Sequence, residues 1–196
     1  MATADLISRH SQEWRSAVDH PFLAGVRDGT LPARAFDRWL AQDYLFVTDL
    51  LGFQAGLLAL APRPAQRVLA GGLVALESEL TWFEASAAER GLRLGGERHS
   101  STEAYRVALD QLLAEGPAPA VTALWAMERV YLEAWRGAAP GAPRYRAFVE
   151  HWTVPEFAAY VLDLEGAATD GPLSEAAFLQ ICRLELDFWD MAWGAA

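Results

Sequence analysis

"DGTLPARAFDRWLAQDYLFV", residues 28–47, ends in a segment whose apolar side carries a carboxylate. Phe36, Trp39, Leu40, Phe46, Val47 and Leu50 recur at the three- and four-residue spacing of one helical face, and Asp43 falls among them. Such an aspartate either tips sideways into solvent, ties down a neighbouring loop, or holds something polar inside a pocket. Burying a charge without partners is costly, so the rest of the chain has to decide between these readings.

Outward from this stretch the period stays helical, and no run shows the alternating, β-branched pattern of a half-buried strand. Proline and glycine cut the chain into segments. A first helix is expected over about residues 4–19, ended by HPF, and DGTLP opens the next, with Pro32 tolerated in a first turn. APRP at 61–64 breaks that helix, and another is expected from about Pro64 to Arg90. Ser100 with Glu103, and Thr153 with Glu156, have capping-box spacing and predict two helix starts, the first helix running through Leu113. EGPAPA precedes the helix carrying LWAMERVYLEAW, a short helix follows at about 144–151, and the last begins near Ser174. The expectation is an all-α bundle of seven to eight helices forming a single domain over residues 1–196.

Composition narrows the functions. Sixteen arginines, no lysine and a net charge of −10 argue against a surface that tracks nucleic-acid phosphates. No apolar run approaches the roughly 20 residues of a bilayer span, and the N-terminal residues lack the basic and apolar regions of a secretory signal. A single cysteine, Cys182, excludes an internal disulfide framework and fits a reducing compartment, so a cytoplasmic location and no membrane partner are expected. Eight tryptophans suit either an aromatic core or an aromatic-lined pocket.

Asp43 has counterparts on other apolar faces. Leu124, Glu128, Tyr131 and Trp135 form one stripe, Cys182, Glu185, Phe188, Trp189 and Ala192 another, and Tyr105 lies beside Val107, Ala108 and Leu109. Carboxylates converging in an apolar chamber would have raised pKa values, the usual preparation for acid–base work. Metal chemistry is less well served. His10, His20, His99 and His151 fall near helix ends or in loops and form neither Glu-x-x-His nor His-x-x-x-His pairs, so no metal or other cofactor is expected. Glu77 and Glu84 are read as a solvated edge, and Cys182 as a small core residue.

HPFLAGVRDGTLPARAFDRWLAQDYLFV, ESELTWFEASAAERG, EAYRVAL and ELDFWDMAW, in that order, resemble the signatures of the TenA/thiaminase II family across nearly the whole chain. The resemblance implies a heme-oxygenase-like bundle without haem, commonly a homotetramer, that acts on thiamin-derived pyrimidines. Carried over by residue, Asp43 resembles the aspartate that clamps the aminopyrimidine, Tyr105 resembles a pocket tyrosine near the substrate, and Tyr131 resembles the tyrosine one turn after the nucleophile. Glu185 resembles the glutamate that handles protons at the scissile carbon. Met127 stands where the better-known branch has its nucleophilic cysteine, and a thioether cannot form the attacking thiolate. Trp125, Glu128, Tyr131 and Trp135 instead look like the cysteine-less, glutamate-type branch, and Trp152 replaces a further pocket tyrosine. The expected activity is hydrolysis of aminomethyl- or formylamino-pyrimidines. Phe46, Tyr105, Tyr131 and Trp135 would sandwich the ring, and Glu128 and Glu185 would divide acid and base duties. The competing readings are an oxygen-handling relative of the pyrroloquinoline-quinone-synthase or di-iron type, and a non-catalytic pyrimidine-binding or regulatory protein.

Overall fold

The structure, a computed structural model, describes residues 3–194. Ten helices and no strands are present among the described residues. They are α1 (Ala4–Arg9), α2 (Ser11–Val18), α3 (Pro21–Asp28), α4 (Ala33–Leu60), α5 (Arg63–Glu89), α6 (Ser100–Glu115), α7 (Pro117–Gly137), α8 (Arg146–His151), α9 (Pro155–Ala167) and α10 (Pro172–Trp193). Two of these, α1 and α8, are only six residues long, which leaves eight longer helices in the bundle.

The main departure from the sequence expectation lies at the N-terminal end. The helix expected over 4–19 is divided at His10, which leaves helical geometry (φ −115°, ψ 42°). Its ring is held instead by Glu175 of α10 at 2.6 Å, so a tertiary contact outweighs local helix continuation. HPF then begins a helix rather than ending one. His20 is extended, its ring accepts a hydrogen bond from the Phe22 amide at 3.1 Å, and Pro21 occupies the first turn of α3, where a missing N–H costs nothing. Gly29 closes α3 in the left-handed conformation (φ 75°) that suits glycine after a helix.

Both expected capping boxes are displaced. His99 caps α6 by accepting from the Ser101 amide at 3.2 Å, which puts Ser100 inside the helix. Val154 precedes α9, and the Thr153 hydroxyl donates back to the Val149 carbonyl at 2.8 Å. Pro117 and Pro172 sit in the first turns of α7 and α10, so each of those helices starts earlier than expected.

Helix α7 is apolar on nearly every side and buried accordingly, with α10, α9, α2 and α6 packed around it. Against it α4 lays the face read from residues 36–50: Phe36, Trp39, Leu40, Phe46, Val47 and Leu50 are all buried. By length and hydropathy α4 would suffice to cross a bilayer, yet it packs against α5, α6, α10 and α7. Its apolar composition is that of a core helix. Trp39 meets Trp135 edge-on at 5.2 Å, Trp135 stacks on Trp152 at 4.8 Å, and Trp189 stacks on Tyr131 at 5.7 Å. This aromatic block backs the site described next.

Candidate active site

Asp43 does face the interior. It is fully buried, and one carboxylate oxygen accepts a hydrogen bond from the Tyr131 hydroxyl at 2.5 Å. Its other oxygen, Oδ2, is buried with no hydrogen-bond partner among the described residues. A second pair lies beside the first: the Tyr105 hydroxyl donates to Glu185 at 2.6 Å, with both residues buried. Phe46 bridges the two pairs. Its ring lies 4.6 Å from Tyr105 and it also lines a small cavity.

That cavity measures about 20 Å³, room for about one water. Phe46, Val47 and Leu50 of α4 form one wall, Leu76 and Glu79 of α5 a second, and Met127, Glu128 and Tyr131 of α7 a third, with Trp152 closing it. Glu128 and Tyr131 thus reach the cavity as their stripe implied. Asp43 stands behind Tyr131, Glu185 stands behind Phe46 and Tyr105, and Trp135 lies one layer back, stacked on Trp152. Trp152 lines this cavity and Trp135 does not, because Trp135 is wholly buried among Trp39, Trp152 and Trp189.

Glu79 is the residue that sequence reasoning missed. Glu77 and Glu84 are exposed, in line with a solvated edge, and Glu84 accepts a hydrogen bond from Tyr44 at 3.0 Å. Glu79 instead turns inward and accepts from the indole N–H of Trp152 at 2.9 Å. A signal was available in Leu76, Glu79 and Phe83, which follow one another at spacings of three and four.

The four carboxyl groups share one electrostatic problem. None of the ion pairs among the described residues involves Asp43, Glu79, Glu128 or Glu185. Burial raises Asp43 well above the usual carboxylate range, against the Tyr131 hydrogen bond, and the charges of Glu79 and Glu185 add to the rise. Burial likewise raises Glu128, reinforced by Glu79, Glu185 and Asp43. Glu185 is pushed up to about 8 by burial, opposed by the Tyr105 hydrogen bond, and Glu79 to about 7, opposed by Trp152. Groups poised this close to neutrality can both take and give protons in a reaction. Cys182 is buried and its thiol is pushed up to about 12, mainly by burial, so it is no nucleophile. Among the described residues no three His, Cys, Asp or Glu side chains are grouped to hold a metal ion.

Outside the cavity, across Glu79 and Trp152, lies a second space of about 310 Å³ that opens toward the surface. A larger concavity of about 770 Å³ runs between α5 and α9, but none of the four carboxylates lines it. Volume alone would favour that groove. The convergence of perturbed carboxyl groups favours the small cavity, and chemistry decides.

Comparison with known proteins places the chain in one family. The TENA/THI-4/PQQC family profile matches residues 7–195. The chain is 29% identical to a Glycine max protein named "Probable bifunctional TENA-E protein", over 98% of this chain and 93% of that one. It is 27% identical to the aminopyrimidine aminohydrolase of Halalkalibacterium halodurans, over 97% of this chain and 94% of the other. The crystal structure of a TenA homologue from Pyrococcus furiosus superposes with a TM-score of 0.91 at 30% identity, covering 98% of this chain and all of that one. On the profile match, the one fold and the shared length, this chain belongs to the TENA/THI-4/PQQC family.

Proposed function

We propose that this protein hydrolyses aminomethyl- or formylamino-pyrimidines, the breakdown products of thiamin, as a salvage enzyme of the cysteine-less, glutamate-type branch. The observation that carries the reading is Asp43, fully buried, tied through one oxygen to Tyr131 and with the other oxygen unmatched. An aminopyrimidine edge offers an amino donor beside a ring-nitrogen acceptor. The Asp43 carboxyl offers an acceptor to that amino group, and burial, by raising its affinity for a proton, suits it to share one with the ring nitrogen beside it. An unmade hydrogen bond in such a place costs about 1–3 kcal/mol, which a ligand of this shape would recover. The name of the Halalkalibacterium relative supports the same substrate class.

In this reading Phe46 and Tyr131 flank the ring, with Trp152 at its outer edge, while Tyr105 holds Glu185 in place. Glu128 and Glu79 face the water-sized space from opposite helices and are placed to activate water and protonate the leaving nitrogen. Glu185 exchanges protons on the ring side through Tyr105. With an amine substrate, water oxygen replaces nitrogen on the methylene carbon and ammonia leaves. With a formyl amide, water adds to the carbonyl, the C–N bond breaks and formate departs. Met127 lines the same space and offers no thiolate for displacing a thiazolium. The cavity holds a water but not a ring, so substrate binding displaces wall side chains, the flexible Met127 first among them. On the family resemblance we also propose a cytoplasmic homotetramer, checked by light scattering coupled to size exclusion.

Incubation with thiamin, the aminomethylpyrimidine and its N-formyl derivative, followed by product identification, tests the function. Conversion of the two nitrogen compounds faster than cleavage of thiamin is expected. Thiamin cleavage exceeding both would overturn the glutamate-branch reading.

A further inference from the structure

The substituent on the scissile nitrogen has somewhere to go. The clamp at Asp43 lies innermost, Tyr131 joins it to the cavity, and Glu79 with Trp152 forms the far wall. Those two residues also line the outer space of about 310 Å³, and the hydrogen bond between them stands at the boundary. A ring held at Asp43 therefore directs whatever its side arm carries past Glu79 and outward.

The outer space is far larger than a formyl group needs, and its chemistry is one-sided. Trp152, Val154 and Phe157 give it an apolar lining, and Val154 is one of the few large apolar side chains left exposed. Its carboxylates are Glu79 and Glu156, and no arginine lines it. His151 supplies no compensating charge. It is stacked on Trp82 at 4.0 Å, and burial lowers its pKa to about 4, leaving it neutral at physiological pH. An uncharged chain is welcome there, whereas a phosphate or carboxylate would face acidic neighbours with no cation to offset them.

We propose that the amide-hydrolysing activity extends to N-acyl aminomethylpyrimidines whose acyl group is uncharged, apolar and larger than formyl, with the acyl chain lodged between Trp152, Val154 and Phe157. This rests on the hydrolase reading above and adds the class of acyl group. Water adds to the amide carbonyl and the C–N bond breaks. Its electron pair stays on nitrogen, which takes a proton from the site, and the products are the free amine and a carboxylic acid. No co-reactant other than water is needed.

The test measures kcat/KM for the N-formyl, N-acetyl, N-butyryl and N-succinyl compounds. Acetyl is the reference for chain length, since formamides are intrinsically more reactive. From acetyl to butyryl the expected rise is up to about fourfold per methylene, the limit for a fully buried one. Succinyl, which has butyryl's length but ends in a carboxylate, should fall at least about tenfold below it, a drop that needs only about 1.4 kcal/mol. Val154→Arg should raise the succinyl-to-butyryl ratio by up to about fivefold, the upper end for a screened surface ion pair. If formyl is hydrolysed but butyryl is no better than acetyl, or succinyl matches butyryl, this inference falls and the hydrolase reading stands. If the formyl compound is untouched, the amidohydrolase reading falls and this inference with it.

Discussion

Replacing Glu185 by Gln swaps an ionisable group for a neutral one of the same shape at a position only 1% exposed. The Tyr105 hydroxyl, now 2.6 Å from the carboxylate, can donate to the amide oxygen instead, so packing and hydrogen bonding survive. What changes is the proton. In the folded protein burial lifts Glu185 from 4.5 to about 8, so between those values the folded chain holds a proton that the unfolded chain has released. Stability from this group is therefore fully present below the unfolded pKa and drains away as pH climbs through the folded one. The shift corresponds to on the order of 5 kcal/mol between the two limits. Urea unfolding at several pH values from about 5 to 9 should show the parent losing stability with rising pH, and Glu185→Gln should lose markedly less. Turnover should fall by about 10²–10⁴-fold, with pyrimidine binding largely retained. A variant whose stability falls with pH in parallel with the parent would show that Glu185 does not titrate in this window. Turnover within a few-fold of the parent, with the fold intact, would make Glu185 structural and move proton transfer to Glu128 or Glu79.

Tyr131→Phe strips Asp43 of its partner at 2.5 Å and leaves both carboxylate oxygens unmatched; a stability loss of about 1–3 kcal/mol and weaker pyrimidine binding are expected in denaturant melts and ligand titration. Gly72→Ala places a methyl group on the Gln54 amide and the Tyr160 hydroxyl, which meet over Gly72; the overpacking should cost about 1–3 kcal/mol, measured by thermal unfolding. Cys182, buried and with its thiol at about 12, should resist a disulfide thiol reagent at neutral pH in the native protein and react once the chain is unfolded. Asp43→Asn exchanges an acceptor for a donor against the substrate amino group, so both binding and turnover should suffer, in contrast to Glu185→Gln.

Period and punctuation in the sequence were enough to determine an all-helical chain, most of its long helices and the inward face of α4, because helical spacing forces residues 36, 39, 40, 43, 46, 47 and 50 onto related sides of one cylinder. Asp43, Glu128 and Glu185 were legible for the same reason: each is a carboxyl group where its own helix should be apolar. Tertiary structure decided what periodicity cannot express. His10 breaks a locally continuous helix because Glu175 reaches it from 165 residues away. Trp152 meets the cavity and Trp135 lies behind it, since which of two aromatic rings reaches that space depends on how α7 and the end of α8 stack. Glu79 looked like one more acid on a charged helix until the Trp152 indole and the rotation of α5 turned it inward. Spacing along one helix assigns a residue to a face; only the packing of several helices decides which faces converge and which charged groups lose their water.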